Sequence, residues 1–430
     1  EGTATTDLES DAAIVAHGSG NILLQAIGAG TDIIAYTNAD IQSTSGHITL
    51  TAAQSIDLKA TVDVVTTGAG SLDITATTGS MTMASDATLQ TVNGDIRITV
   101  GNDVLDQVTI GQITASNANV SITTSGSILD SDTVTAQVDD DTVDIIALGL
   151  RIDAGKGVGV LSVNSLGQDV NALETTITTL SAIVKGSDGI NILESTGLVV
   201  NDVISKVNTA KAVSVQTVSL SGITSESTET IQSDVVTTNT NEANGSIVIR
   251  TKAGDIKLYE GTATTDLESD AAIVAHGSGN ILLQAIGAGT DIIAYTNADI
   301  QSTSGHITLT AAQSIDLKAT VDVVTTGAGS LDITATTGSM TMASDVTLQT
   351  VNGDIRITVG DGVLDQVTIG QITASNANVA ITTSGSILDS DTVTAQADDS
   401  NVDIIALGLR IDAGKGVGVL FVNSLGQDVN

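Results

Sequence analysis

The phrases Gly46-His47-Ile48-Thr49-Leu50-Thr51, Gly70-Ser71-Leu72-Asp73-Ile74-Thr75, Gly94-Asp95-Ile96-Arg97-Ile98-Thr99 and Ala118-Asn119-Val120-Ser121-Ile122-Thr123 follow one another at a constant spacing of 24 residues. Each opens on a small turn residue and then alternates apolar and polar positions with period two, the pattern of a strand with one buried face. Two shorter apolar pairs fill each interval: Ile56/Leu58 and Val62/Val64 in the first, Met81/Met83 and Ala87/Leu89 in the second. Three short strands per 24 residues, with Gly, Ser, Asn and Asp at the corners, describe one coil of a β-solenoid. Coils of this kind pair backbone to backbone at about 4.8 Å, which places Ile48, Leu72, Ile96 and Val120 in one interior column.

The composition agrees with that reading. The chain has 430 residues, 41% of them hydrophobic, yet no Pro, Cys or Trp and only 3 Tyr and 1 Phe. Ordinary usage of about 5% would supply roughly twenty prolines. In stacked coils nearly every strand is central, and a proline there would remove a ladder hydrogen bond. A narrow interior takes branched aliphatics and excludes large rings. A sandwich of immunoglobulin-like domains fits less well, because it predicts a repeat of ~100 residues and a buried Trp.

Fifty acidic residues against 14 basic ones set the net charge at −36. Nucleic acid and anionic membrane surfaces are therefore excluded as partners, since binding phosphate needs clustered Lys and Arg. No apolar run approaches the ~18 residues of a membrane span, so no membrane insertion is expected. Without cysteine there is neither a disulfide framework nor a thiolate metal site. The chain opens at Glu1 without a signal peptide and reads as a segment of something longer.

A second, longer repeat contains the first. Residues 260–430 repeat residues 1–171 at an offset of 259, with eight differences: Ala87/Val346, Asn102/Asp361, Asp103/Gly362, Ser121/Ala380, Val138/Ala397, Asp141/Ser400, Thr142/Asn401 and Ser162/Phe421. The domain reading is one solenoid unit over 1–259 and a truncated second copy over 260–430. Within 167–205, Leu173, Ile177, Leu180 and Val184 are spaced like a helix face, but Glu174-Thr175-Thr176-Ile177-Thr178-Thr179 is a poor helix former, so strands with longer corner loops are predicted. Residues 222–244, rich in Ser, Thr, Asn and Glu, are predicted to form a lateral loop.

The phrases at Gly46, Gly70 and Gly94, with Ser55-Ile56-Asp57-Leu58-Lys59-Ala60 between them, resemble the filamentous-haemagglutinin type of right-handed parallel β-helix, carried by giant repetitive bacterial surface proteins. Residues 148–160, Ala172-Leu173-Glu174-Thr175 and residues 189–199 resemble the linking motif of such arrays. The resemblance implies an all-β, right-handed parallel β-helix in a secreted, cysteine-poor fibre acting as adhesin or matrix. The family's secretion-signalling N-terminal domain has no counterpart in these residues.

Catalytic candidates are few. His17, His47, His276 and His306 are the only histidines, and no Gly-x-Ser-x-Gly motif occurs. Ala154-Gly155-Lys156-Gly157 lacks the Ser/Thr and the glycine spacing of a phosphate loop, and reads as a turn. A β-helical polysaccharide-degrading enzyme would use outward Asp73, Asp95 and Arg97. The column Thr51, Thr75, Thr99 and Thr123 is outward; its neighbour Thr49, Asp73, Arg97 and Ser121 is too uneven for an ice-binding face. The acidic cluster Asp130, Asp132, Asp139, Asp140 and Asp144 is the candidate metal site, for Ca²⁺ with its six to eight oxygens. The alternative is a solvated acidic edge.

The function expected is that of a structural extracellular fibre or cell-surface filament, without catalysis and without a required cofactor. Its partners would be further copies of itself, end to end or side by side. A glycan-binding adhesin using its lateral loops is the alternative, and a polysaccharide-degrading enzyme the third reading.

Overall fold

The computed structural model describes residues 12–132, 142–162, 171–239, 245–263, 271–390 and 402–418. Among them there is no helix, and most strands stack in parallel as a β-solenoid of about 14 turns averaging about 26 residues. The chain forms two compact units, Glu1–Ser195 with Asp202–Ser233 and Thr262–Asp266, and Thr196–Asn201 with Asp234–Gly261 and Leu267–Asn430.

In the first unit the strands Ile48–Ala52, Ile56–Leu58 and Asp63–Thr66 make one turn. Leu72–Ala76, Met81–Met83 and Thr88–Thr91 repeat it one layer on. The register is the predicted one: Ile48 pairs with Leu72, Leu72 with Ile96, and Ile96 with Val120. All four are fully buried, as are Ile56, Leu58, Val62, Val64, Met81, Ala87 and Leu89. Full burial of such a side chain stabilises by about 2 kcal/mol, and here the gain recurs in every layer.

The mean turn exceeds 24 residues because some corners are longer. Arg97 lies 24 residues beyond Asp73, whereas Arg151 lies 30 beyond Ser121 and Asn280 lies 34 beyond Ser246 in the second unit. Gln112–Thr124 and Leu173–Val184 are long strands rather than helix, the latter settling the ambiguous spacing at Leu173 and Ile177. β-Branched Thr and Ile suit a pleated surface, and the backbone pairs Leu150 with Leu180 in the same parallel ladder. In the second unit Ile307, Leu331, Ile355 and Val379 reproduce the first unit's column.

The corner glycines explain why the repeat is strict. A Cβ on Gly70 would sit 1.9 Å from the carbonyl oxygen of Gly46 in the layer below, and one on Gly94 would sit 2.0 Å from that of Gly70. Backbone cannot retreat from such a contact without breaking the ladder. At the next layer Ala118 is tolerated because Gln112–Thr124 runs through the corner as continuous strand. Another corner stacks Asn38 and Thr61 in the left-handed region (φ 58° and 60°), and the Thr61 hydroxyl donates to Asn38 Oδ1. Gly70→Ala is expected to destabilise by about 2 kcal/mol or more through overpacking. Gly416→Ala, with nothing within 4 Å of the added carbon, should stay within about 0.5 kcal/mol of the parent. Urea midpoints of the two variants check this.

Candidate functional site

Two features of the first unit bring chemistry-bearing side chains together. The first is a hairpin lying on the outside of the coils. Val213–Val218 and Thr224–Glu229 pair antiparallel, with Val213 opposite Glu229 and Val218 opposite Thr224. Gly222, at φ 75°, makes the turn. Here the lateral loop expected over 222–244 is ordered strand over 224–229, and 240–244 lie outside the described residues. The strand Val213–Val218 escapes the sequence reading: Val213, Val215 and Val218 before a turn with Gly222 are half of a hairpin signal, but the partner Thr224–Glu229 is polar throughout and shows no alternation.

This strap crosses the polar column. The amide of Ser214 donates to Asp95 Oδ2 (2.8 Å), that of Gln216 to Ser71 Oγ (2.8 Å) and that of Val218 to Thr49 Oγ1 (2.9 Å). The strand therefore runs down the stack, one anchor per layer. Thr217 donates to Asp73 Oδ2, Ser205 to Asp95 Oδ2, and Asn119 Nδ2 to the carbonyl of Ala212. Arg97 bonds Asp73 Oδ1 through two nitrogens (3.0 and 2.8 Å) and reaches Glu229 at 3.6 Å. Arg151 approaches Glu229 at 4.0 Å and donates to the carbonyl of Thr230. Thr49, Ser71, Asp73, Asp95, Asn119, Ser121 and Arg151 are all buried as a result. Burial pushes the Asp95 pKa up, against the pull of its donors Ser205, Asn119 and Ser214. His47 Nδ1 accepts the amide of Ser71, and burial lowers the imidazole pKa.

The second feature is a carboxylate pocket. Asp130 ends the strand Ser127–Asp130, Asp144 precedes Ile145–Ala154, and Glu174 is the second residue of Leu173–Val184. One carboxylate oxygen from each lies within 4.8 Å of the others. Asp144 and Glu174 are buried, and the Glu174 amide donates to Asp144 Oδ2 at 2.8 Å. Of the predicted metal set, Asp130 and Asp144 meet here. Asp132 is not among the three; its amide donates to Asp130 Oδ1. Asp139 and Asp140 lie outside the described residues. Glu174 went unrecognised in sequence because it stands 30 residues from Asp144, and only the length of that turn aligns them. Three carboxylates at this spacing can supply half of a calcium shell.

Desolvation, then the charge of Asp130, pushes the Asp144 pKa up to about 9. The unfolded value is near 4, so the folded state holds a proton that the unfolded state has lost at neutral pH. Its stabilising contribution is complete below about pH 4 and is lost as pH rises toward 9. Asp144→Asn, which cannot ionise, is expected to flatten that slope and to be more stable than the parent near pH 8. Denaturation midpoints measured from pH 4 to 9 check this; parallel curves for parent and variant would show that Asp144 is ionised throughout.

No family model, no curated protein and no solved structure matches the chain.

Proposed function

We propose that this chain is a section of a structural extracellular fibre or cell-surface filament of tandem β-solenoid repeats, of the filamentous-haemagglutinin-like kind its phrases resemble. One observation carries the reading. Two copies of one sequence form the same coils in the same register, and among the described residues only one of their differences, Ala87/Val346, falls on a fully buried inward position. Both residues are aliphatic, so the substitution preserves the interior. Repeated geometry, rather than one unique cleft, is what a fibre selects.

The polysaccharide-degrading alternative needs Asp73, Asp95 and Arg97 open to a substrate. In the first unit the strap covers them, with Asp73 at 2% and Asp95 at 0% exposure. A glycan-binding role would fall to the strap's tip, where Leu220 and Ile223 are 88% and 70% exposed. The fibre reading needs neither.

Electron micrographs of the purified protein should show filaments of uniform width, and oriented specimens should diffract near 4.8 Å along the filament. Globular particles without that spacing would overturn the reading.

The carboxylate pocket supports calcium as a structural cation within this fibre. A divalent ion would take the place of the proton on Asp144 and neutralise the ionised Asp144–Asp130 pair. Calcium is expected to raise the melting temperature more than NaCl of equal ionic strength, and Asp144→Asn with Glu174→Gln should remove the excess. Identical curves in calcium and matched NaCl would make the acidic residues a solvated edge.

A further inference from the structure

Readily oxidised side chains are scarce in this chain and sharply placed. It has no Cys and no Trp. Its four methionines, Met81, Met83, Met340 and Met342, are at most 1% exposed, which keeps their sulfur away from oxidants in solvent. That leaves three tyrosines, Tyr36, Tyr259 and Tyr295, all outside the core. Two of the three are stacked: the rings of Tyr259 and Tyr295 have centroids 4.2 Å apart and planes 8° from parallel.

The ladder makes this pair. Leu258 pairs with Ala294 in parallel register, and the amide of Tyr295 donates to the carbonyl of Leu258 at 2.9 Å. The residues that follow, Tyr259 and Tyr295, therefore leave successive turns at the same corner and in the same direction. Tyr259 is the last residue of the first copy, and Tyr295 is the second copy's counterpart of Tyr36, so the stack bridges the join between copies. The phenols also meet at their hydroxyl ends: the hydrogen bond with Tyr295, and then burial, raises the Tyr259 pKa. Parallel planes and neighbouring hydroxyls set the ortho carbons of one ring over those of the other. Both side chains are half-buried, so an oxidant in solvent reaches them and each ring has room to turn about χ1 and χ2.

We propose that Tyr259 and Tyr295 are a site of oxidative cross-linking, coupled through their ortho carbons into a dityrosine that fastens two successive turns across the join between copies. The co-reactant is hydrogen peroxide, used in one-electron steps by a haem peroxidase. Each phenol gives up one electron and its hydroxyl proton. The two phenoxyl radicals join by one carbon–carbon bond, and the proton on each joined carbon then moves to the phenol oxygen. Two hydrogens leave the protein, and with them one hydrogen peroxide becomes two waters. Holding both rings in contact turns a chance encounter of radicals into a step within one molecule. A chain without cysteine has no disulfide with which to fasten its turns. This bond imposes the same kind of constraint, closing a loop of one turn. The inference does not depend on the fibre reading, since it concerns only two rings within one chain.

Treatment of the full 430-residue chain, in dilute solution, with hydrogen peroxide and a haem peroxidase tests this, with dityrosine read by its fluorescence and by mass. A protease that cuts after Glu260 parts Tyr259 from Tyr295, so the cross-linked peptides locate the bond. The expected product runs as a single chain on a denaturing gel, is lighter by two hydrogens, joins Tyr259 to Tyr295 and has a higher urea midpoint than the untreated chain. Tyr295→Phe keeps a ring in the stack without its phenol, and should abolish both the product and the midpoint shift. Tyr36→Phe should change neither, although Tyr36 is 68% exposed and coupling governed by exposure alone would use it. Bonds that map to Tyr36, a yield no greater than that from the chain unfolded in urea, or an unchanged midpoint would each overturn the proposal.

Discussion

The parallel ladder between successive turns is the constraint on which everything else rests. Because each turn pairs with the next at fixed register, whatever stands at one position stands over its equivalent one layer on. For apolar side chains this is favourable: Ile48, Leu72, Ile96 and Val120 form a continuous dry column. For glycine it is obligatory, since the carbonyl of Gly46 occupies the space a Cβ on Gly70 would need. For carboxylates it is costly, and the chain meets that cost in different ways.

Where like charges would stack, a counter-charge or a donor set intervenes. Arg97 stands one layer above Asp73, and Arg356 above Asp332, so each of these carboxylates has a cation rather than another carboxylate as its neighbour in the column. Asp95 is buried but receives Asn119, Ser205 and Ser214. Buried carboxylates satisfied in this way are strongly held, and removing their donors would leave an expensive charge in a low dielectric. At Asp144 burial, and then the charge of Asp130, favours a proton instead, against the pull of the hydrogen bonds from Glu174.

The strap shows how an external element can be specified by such a face. Its backbone amides read acceptors that the coils present at successive layers, so a single β-strand is bound lengthwise without joining the sheet of the solenoid. In the second unit Arg356 bonds both oxygens of Asp332, so the same column keeps its charges paired there.

The amino-acid sequence by itself determined the coil. Period-two alternation, the 24-residue spacing and the glycine at each corner are local signals, and the ladder converts them directly into register. It also located Asp130 and Asp144 as one acidic neighbourhood. Only the tertiary structure decided what joins them. Glu174 enters the pocket because one turn is 30 residues long, and the length of an irregular corner is not written in any periodicity. The strap lies on Asp73 and Asp95 from positions 144 and 119 residues away in the chain. Contacts of that separation depend on where a loop returns across the stack, which no short window of sequence encodes.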